Sequence, residues 1–305
     1  MERELLIRAE RSRSGVRGPA AGRNMLFALL VAASIVAFWV PLRNLFSLCR
    51  TSEQYSFIGV IPFIVLGLFY LEHGTVFQHL DYSWSSGTLA IVAGLSLAGA
   101  AVVLSGELST GSRLFVEILG LVTVWMGSFL LCYGTRASRT GLFAMLFSLL
   151  LVPLPESVMA KPIALIQHAS ADVTGSLFRL AGVPAFREGL TFSLPRLSFV
   201  VATECSGIHS SIALFIGSIL LGHFYFNSRW KRVLVILLVF PIISVTNGLR
   251  IFVLATLAVY VDMSFFHGNL HHRGGSLFFA LALGILAGAT KLLGARWRLA
   301  RLTPP

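Results

Sequence analysis

The sequence predicts an all-α integral membrane protein with about eight transmembrane helices. Of its 305 residues, 56% are hydrophobic and only 12% are charged, whereas about a quarter of the residues in a soluble domain are charged. Apolar runs long enough to cross a ~30 Å hydrocarbon core recur along the chain, and no polar stretch is long enough for a separate soluble domain. The predicted spans are residues 24–42, 56–71, 87–105, 115–133, 140–155, 207–226, 233–260 and 275–293.

The distribution of Lys and Arg predicts how the spans are oriented. Most of the 24 Lys and Arg residues fall in the N-terminal tail, the C-terminal tail and alternate loops, which is typical of cytoplasmic segments. We therefore predict one multi-pass domain, residues 24–293, in the cytoplasmic (inner) membrane. Residues 1–23 and 294–305 are then basic cytoplasmic tails.

The net charge of +11 does not predict a nucleic-acid partner, because no cluster of Lys and Arg has aromatic residues between its members. In a membrane protein such a charge serves topology and contact with anionic lipids.

One sizeable extramembrane segment is predicted between the fifth and sixth spans, on the outer face. Residues 160–181 have the apolar spacing of a helix that lies at the interface or packs on the bundle. Residues 188–201 alternate polar and apolar side chains, which predicts a short β-hairpin. This hairpin delivers the chain directly to Cys205.

Three chemically competent residues lie at the ends of separate spans. Cys205 immediately precedes the sixth span, and His271 lies just before the eighth. Arg250 is seventeen residues past the start of the seventh span, which is about 25 Å of helical rise. The predicted topology places all three ends at the outer membrane face. A thiol, a guanidinium and an imidazole at one face are the groups used for acyl transfer by a cysteine enzyme.

Cys205 stands at the start of a predicted helix, where the helix dipole lowers the pKa of a thiol. Ser206 and Gly207 are small and leave room for a substrate backbone, and N–H groups at this turn would form an oxyanion hole. The alternative is a buried structural thiol, which is the usual role of cysteine. Three cysteines in dissimilar contexts do not predict a disulfide framework or a metal site made of cysteines.

Arg250 lies within a span, and such an arginine is a candidate functional residue because burying its charge in lipid is costly. Asn247 is one helical turn earlier on the same face. The alternative for Arg250 is snorkelling to the outer headgroups.

Histidines supply the candidate acid and base. His271 and His272 are adjacent and both remain candidates, and His209, one turn after Cys205, is a rival partner for the thiol. No Asp or Glu follows the histidines at ligand spacing, so we predict neither a metal ion nor another cofactor.

Several short motifs, each present once, follow one another across residues 55–293. They are Tyr55-Ser-Phe-Ile-Gly59, Val152-Pro-Leu-Pro155, Gly182-Val-Pro184, Arg187-Glu-Gly189, Val201-Ala-Thr-Glu-Cys205-Ser-Gly-Ile208, Asn247-Gly-Leu-Arg250, and His271 followed by Gly275 and Phe279. In this order, within one chain of about eight spans, they resemble the exosortase/archaeosortase family of integral membrane cysteine transpeptidases.

The resemblance implies that the chain cleaves membrane-anchored proteins at a C-terminal sorting signal of the PEP-CTERM type. Such a signal consists of a short motif, a transmembrane helix and a basic tail. Cys205 would be the nucleophile that forms a thioester, Arg250 would stabilise the thiolate or the oxyanion, and His271 would be the acid and base. Because His271 lies at four-residue steps from Gly275 and Phe279, we prefer it to His272.

A different class of function competes with this interpretation. The chain could be a transporter or an accessory membrane protein of exopolysaccharide export, with Arg250 as an anion site. That hypothesis predicts that Cys205→Ser is tolerated while Arg250→Ala is not.

Overall fold

The computed structural model describes residues 17–195, 197–201, 208–262 and 275–294, with side chains at all of these except 17–20, 208 and 209. The described residues are mostly helical and form two compact units, one that ends at Pro155 and one that starts at Glu156. Among the described residues, five helices are long and apolar enough to cross a membrane, or up to seven if each of two broken pairs is one span. The chain is thus a multi-pass helical membrane protein, and the predicted count of eight spans is not confirmed.

The first unit contains seven helices and two 3-10 turns in its described part. The helices are α1 (Arg17–Ala37), α2 (Trp39–Thr51), α3 (Ile61–Leu71), the single turn α4 (His73–Val76), α5 (Trp84–Val103), α6 (Thr110–Thr140) and α7 (Leu142–Phe147). The 3-10 turns are Glu53–Val60, which leads into α3, and Ser148–Leu151, which follows α7.

The predicted first span is broken by a bend of 75° between α1 and α2. α1 ends at Ala37, four residues before Pro41. A proline ring clashes with the carbonyl four residues earlier and donates no N–H to it, which accounts for a helix end at Ala37. The chain then continues as helix to Thr51, well past the predicted end at residue 42.

Close packing of α5 on α6 depends on glycines. A β-carbon at Gly94 would lie 2.6 Å from the carbonyl oxygen of Gly120, and one at Gly127 would lie 2.8 Å from the backbone nitrogen of Ile91. Small residues of this kind let the backbones of two membrane helices approach, so that van der Waals packing holds the pair together.

The predicted fifth span, residues 140–155, is helical only as far as Leu151, where α7 and its 3-10 turn end. Helical residues also precede α7, because α6 is interrupted at Gly134 (φ +84°, ψ 175°) and resumes as far as Thr140. Val152 is extended (φ −76°, ψ 115°), as expected before Pro153. The Tyr55 hydroxyl donates to the Leu154 carbonyl at 2.7 Å, which stabilises the carbonyl that lies between two prolines.

The second unit contains four long helices and a small sheet in its described part. These elements are α8 (Glu156–Leu180), β1 (Phe186–Glu188), β2 (Thr191–Leu194), β3 (Leu197–Val200), α9 (Ile208–Tyr225), α10 (Arg229–Tyr260) and α11 (Gly275–Leu292). The part of α9 from Ser210 is apolar but shorter than the eighteen residues required of a candidate span.

The three strands form an antiparallel meander in the order β1-β2-β3. The predicted hairpin is therefore confirmed as β2 and β3, and β1 is an additional strand. Phe192 pairs with Phe199 across the hairpin, and their rings stack at 5.5 Å. The apolar face of the sheet packs on α8 and α10, where it buries Phe178 and Ala255.

Arg187 fastens the turn between β1 and β2 to α8. Its Nη1 atom is 2.7 Å from Oδ1 of Asp172, and its Nε donates to the Gly189 carbonyl at 2.8 Å. Gly189 has φ +61°, a backbone conformation that favours glycine. The Arg187-Glu-Gly189 motif thus has a structural role, which is to hold the sheet against the helix.

Candidate active site around Arg250

Arg250 lines a cleft of about 30 Å³ formed by the start of α9, the middle of α10 and the start of α11. This volume accommodates one or two water molecules. Both polar and apolar residues line it: Ser210, Ser211, Leu214, Ile243, Thr246, Asn247, Arg250, Gly275, Phe278, Phe279 and Ala282.

The guanidinium of Arg250 lies against the first residue of α11. A β-carbon at Gly275 would stand 3.8 Å from its Cζ and Nη1 atoms. The side chain is only partly exposed. It therefore extends across the cleft towards α11, and the absence of a side chain at Gly275 leaves the space between them open.

The residues just before Arg250 fix α10 to α8. Asn247 is buried, and its Nδ2 atom donates to Oγ of Ser170 at 3.1 Å. Thr174 donates to the Gly248 carbonyl at 3.1 Å and to the Ser170 carbonyl at 2.8 Å. The Asn247-Gly-Leu-Arg250 motif therefore combines two interhelical hydrogen bonds with a guanidinium one turn further along.

Gly248 sits where α8 and α10 approach most closely among the residues of this motif. A β-carbon there would be 2.7 Å from Cβ and Cγ1 of Val173 and 2.9 Å from the Ser170 carbonyl oxygen. We expect Gly248→Leu to lower the free energy of unfolding by about 3 kcal/mol, because the backbones must separate to admit the side chain.

The check is the temperature at which the purified protein, in detergent, loses its monodisperse peak. Gly288→Leu on α11 is the matched control, because a β-carbon at Gly288 meets nothing within 4 Å. Equal thermal stability of the two variants would contradict the packing role of Gly248.

α8 also holds the chain that leads to Cys205. Gln167 Nε2 donates to the carbonyl of Val201 at 3.1 Å, and Val201 is buried in the core between the sheet and the helices. Val201 precedes Cys205 by four residues. One face of α8 thus contacts both the segment before Cys205 and the segment before Arg250.

The predicted site residues divide into two groups. Cys205, Ser206, Gly207, His271 and His272 lie outside the described residues, as does the side chain of His209. Arg250 and Asn247 are described, and both line the cleft. α9 begins three residues after Cys205, and α11 begins four residues after His271.

Sequence reasoning did not identify Gln167, Ser170 and Thr174, which position the site from α8. Their spacing of three and four residues puts them on one face of a helix. A row of polar residues at this helical spacing on one face of α8 is the signal that could have found them. In the described ranges, no group of three or more His, Cys, Asp or Glu residues is placed to hold a metal ion.

Comparison with known proteins gives one family. The model of the family described as "Transmembrane exosortase (Exosortase_EpsH)" matches residues 47–288, which is well over half of the chain. No curated protein and no solved structure matches it. The matched range includes every residue named above as lining the cleft. The chain therefore belongs to the transmembrane exosortase family, whose members are membrane transpeptidases that act on secreted substrates.

Proposed function

We propose that this exosortase is a cysteine peptidase or transpeptidase that cleaves a C-terminal sorting signal of the PEP-CTERM type through a thioester on Cys205. The proposed place of reaction is the outer face of the cytoplasmic membrane. The observation that carries the proposal is the cleft in which the guanidinium of Arg250 meets the starts of α9 and α11.

Chain length supports the assignment of Cys205 and His271 to this cleft. Ser210 and Gly275, at the starts of α9 and α11, line it. Three residues of chain before α9 reach at most about 11 Å, and four residues before α11 at most about 14 Å. These chain lengths are compatible with both side chains reaching the cleft.

The spacing on α11 favours His271 over His272 as the acid and base. Gly275 and Phe279 both line the cleft, and residues four apart share one face of a helix. His271 precedes Gly275 by the same four-residue step that separates Gly275 from Phe279, and His272 does not.

In the proposed reaction, the Cys205 thiolate attacks the carbonyl carbon of the scissile peptide bond. The carbonyl oxygen becomes an oxyanion, to which the Arg250 guanidinium donates hydrogen bonds. The C–N bond then breaks as protonated His271 gives its proton to the leaving amine. The thioester that remains is resolved by water or an acceptor amine, whose proton returns to His271.

The substrate fits this location because a sorting signal includes a transmembrane helix. Such a helix lies in the bilayer and presents its short motif at the interface. Arg250 is about 32 Å by helical rise from the first residue of α10 and about 15 Å from the last, so it lies nearer the second end of this helix than the first. The reaction is proposed to occur where the motif leaves the membrane.

The experiment that tests the proposal is to trap the thioester. The full chain is expressed with a secreted reporter that carries a C-terminal sorting signal from the same genome, and the cells are denatured without reducing agent. We expect a covalent adduct of reporter and enzyme that hydroxylamine releases, and mass spectrometry should place it on the Cys205 peptide.

A variant with Cys49→Ser and Cys132→Ser, in which Cys205 is the remaining cysteine, is the matched control and should keep the adduct. An adduct on Cys49 or Cys132, or a processed reporter with an adduct that resists hydroxylamine, would contradict the mechanism.

Gly275 provides a second expectation, because it borders the guanidinium. We expect Gly275→Leu to slow reporter processing by about 10–100-fold, since the side chain would displace Arg250 and a shift of about 1 Å in an active site has effects of this size. Gly275→Ala should retain most of the activity, because 3.8 Å is an ordinary van der Waals distance.

The measurement is the initial rate of reporter processing at equal amounts of inserted protein. Gly284→Leu, on the same helix but with nothing within 4 Å of an added β-carbon, controls for helix insertion. Wild-type rates for Gly275→Leu would show that the guanidinium does not need this space.

A further inference from the structure

Asn247 has one polar atom that no contact explains. The side chain is only 6% exposed, its Nδ2 atom donates to Ser170, and Oδ1 is buried with no hydrogen-bond partner among the described residues. A buried carbonyl without a donor costs about 1–3 kcal/mol. Asn247 lines the cleft, so a molecule bound there is one source of the missing donor.

Two groups of opposite hydrogen-bonding character line the cleft one helical turn apart. The Asn247 carbonyl only accepts hydrogen bonds, and the Arg250 guanidinium only donates them. A ligand that contacts both offers a donor to the first and an acceptor to the second. An extended polypeptide residue does so, because its own N–H and C=O point to the same side, as they do in a hydrogen-bonded β pair.

The lining of the cleft agrees with a main-chain ligand. Leu214, Ile243 and Phe278 supply apolar walls, in which an unpaired peptide N–H would be costly and a paired one is strengthened.

We propose that Oδ1 of Asn247 accepts a hydrogen bond from the main-chain N–H of the substrate residue whose carbonyl is attacked. Arg250 then takes the carbonyl oxygen of that same residue. This inference rests on the proposed function and adds to it a recognition of the backbone that is independent of the substrate side chain.

The test uses the full chain in lipid nanodiscs and a reporter peptide for which the thioester has first been trapped. A second peptide replaces the N–H of the residue that carries the scissile carbonyl by oxygen, which gives an ester that cannot donate. We expect the wild type to process this ester about tenfold more slowly, the effect of one hydrogen bond of about 1.4 kcal/mol. A peptide with its ester one residue further upstream is the matched control and should react at the rate of the amide.

The variant Asn247→Leu, assayed with both peptides, completes a double-mutant cycle between the enzyme and the substrate. It should process the amide peptide about tenfold more slowly than the wild type, and it should no longer distinguish the amide from the ester. Equal rates for amide and ester with the wild type would overturn the inference without any variant, and would leave the thioester mechanism intact. A loss in Asn247→Leu that still adds to the ester effect would make Asn247 a structural residue, which also overturns it.

Discussion

Replacing Cys205 by alanine is expected to lower reporter processing by about 10⁵-fold or more. Removal of a catalytic nucleophile has effects of this size, since the groups that remain only bind the substrate and stabilise charge. Cys205→Ser should be nearly as inactive, because a hydroxyl is a far weaker nucleophile than a thiolate. The measurement is the fraction of reporter processed in cells, at amounts of inserted enzyme equalised by immunoblot.

The other two cysteines are the controls for this result. Cys132 is buried and Cys49 partly buried, and neither lines the cleft, so Cys49→Ala and Cys132→Ala should process the reporter at close to wild-type rates. Processing by Cys205→Ser at the wild-type rate would remove the thiol from the mechanism. Together with loss of function in Arg250→Ala, that result would favour the transporter or accessory function, in which Arg250 is an anion site.

Hydrophobic pattern alone located most of the long helices. Residues 87–105 and 275–293 were predicted as spans, and the structure has helices at Trp84–Val103 and Gly275–Leu292. The failures occur at prolines, where apolar composition continues but the helix does not. Pro41 breaks the first span. Pro153 and Pro155 lie in the last residues of the predicted fifth span, after its helix has ended at Leu151. Composition reports burial in lipid, whereas continuity of a helix depends on backbone N–H groups that proline lacks.

Within the site, local spacing predicted part of the arrangement. Asn247 and Arg250 were placed on one face from their three-residue spacing, and both line the cleft. Ser170 could not be predicted as the partner of Asn247, because the two are 77 residues apart and on different helices. Which residues of two helices meet depends on how the helices pack, and here they approach closely at Gly248. A single sequence shows no periodic pattern from which this contact can be predicted.

Changing Arg250 to glutamine is expected to lower the rate of reporter processing by about 10²–10³-fold. Loss of one preformed donor to an oxyanion has effects of this size. Glutamine keeps an amide donor and much of the length but no charge, so the variant separates the charge of the guanidinium from its packing. Insertion should be unaffected, because removing a cation from a partly buried position in a span lowers the cost of burial.

Arg250→Lys should recover no more than about tenfold of that loss. An ammonium keeps the charge, but it lacks the planar fork that donates two parallel hydrogen bonds, and its shorter reach places the charge further from Gly275. Arg179→Gln is the matched control: Arg179 is an exposed arginine in the last turn of α8 and donates to Ser176, so its loss should leave processing unchanged. If Arg250→Gln forms the thioester and releases product at the wild-type rate, the guanidinium does not stabilise the transition state. Contact with lipid headgroups, which is common for an arginine towards the end of a span, would then explain the position of Arg250.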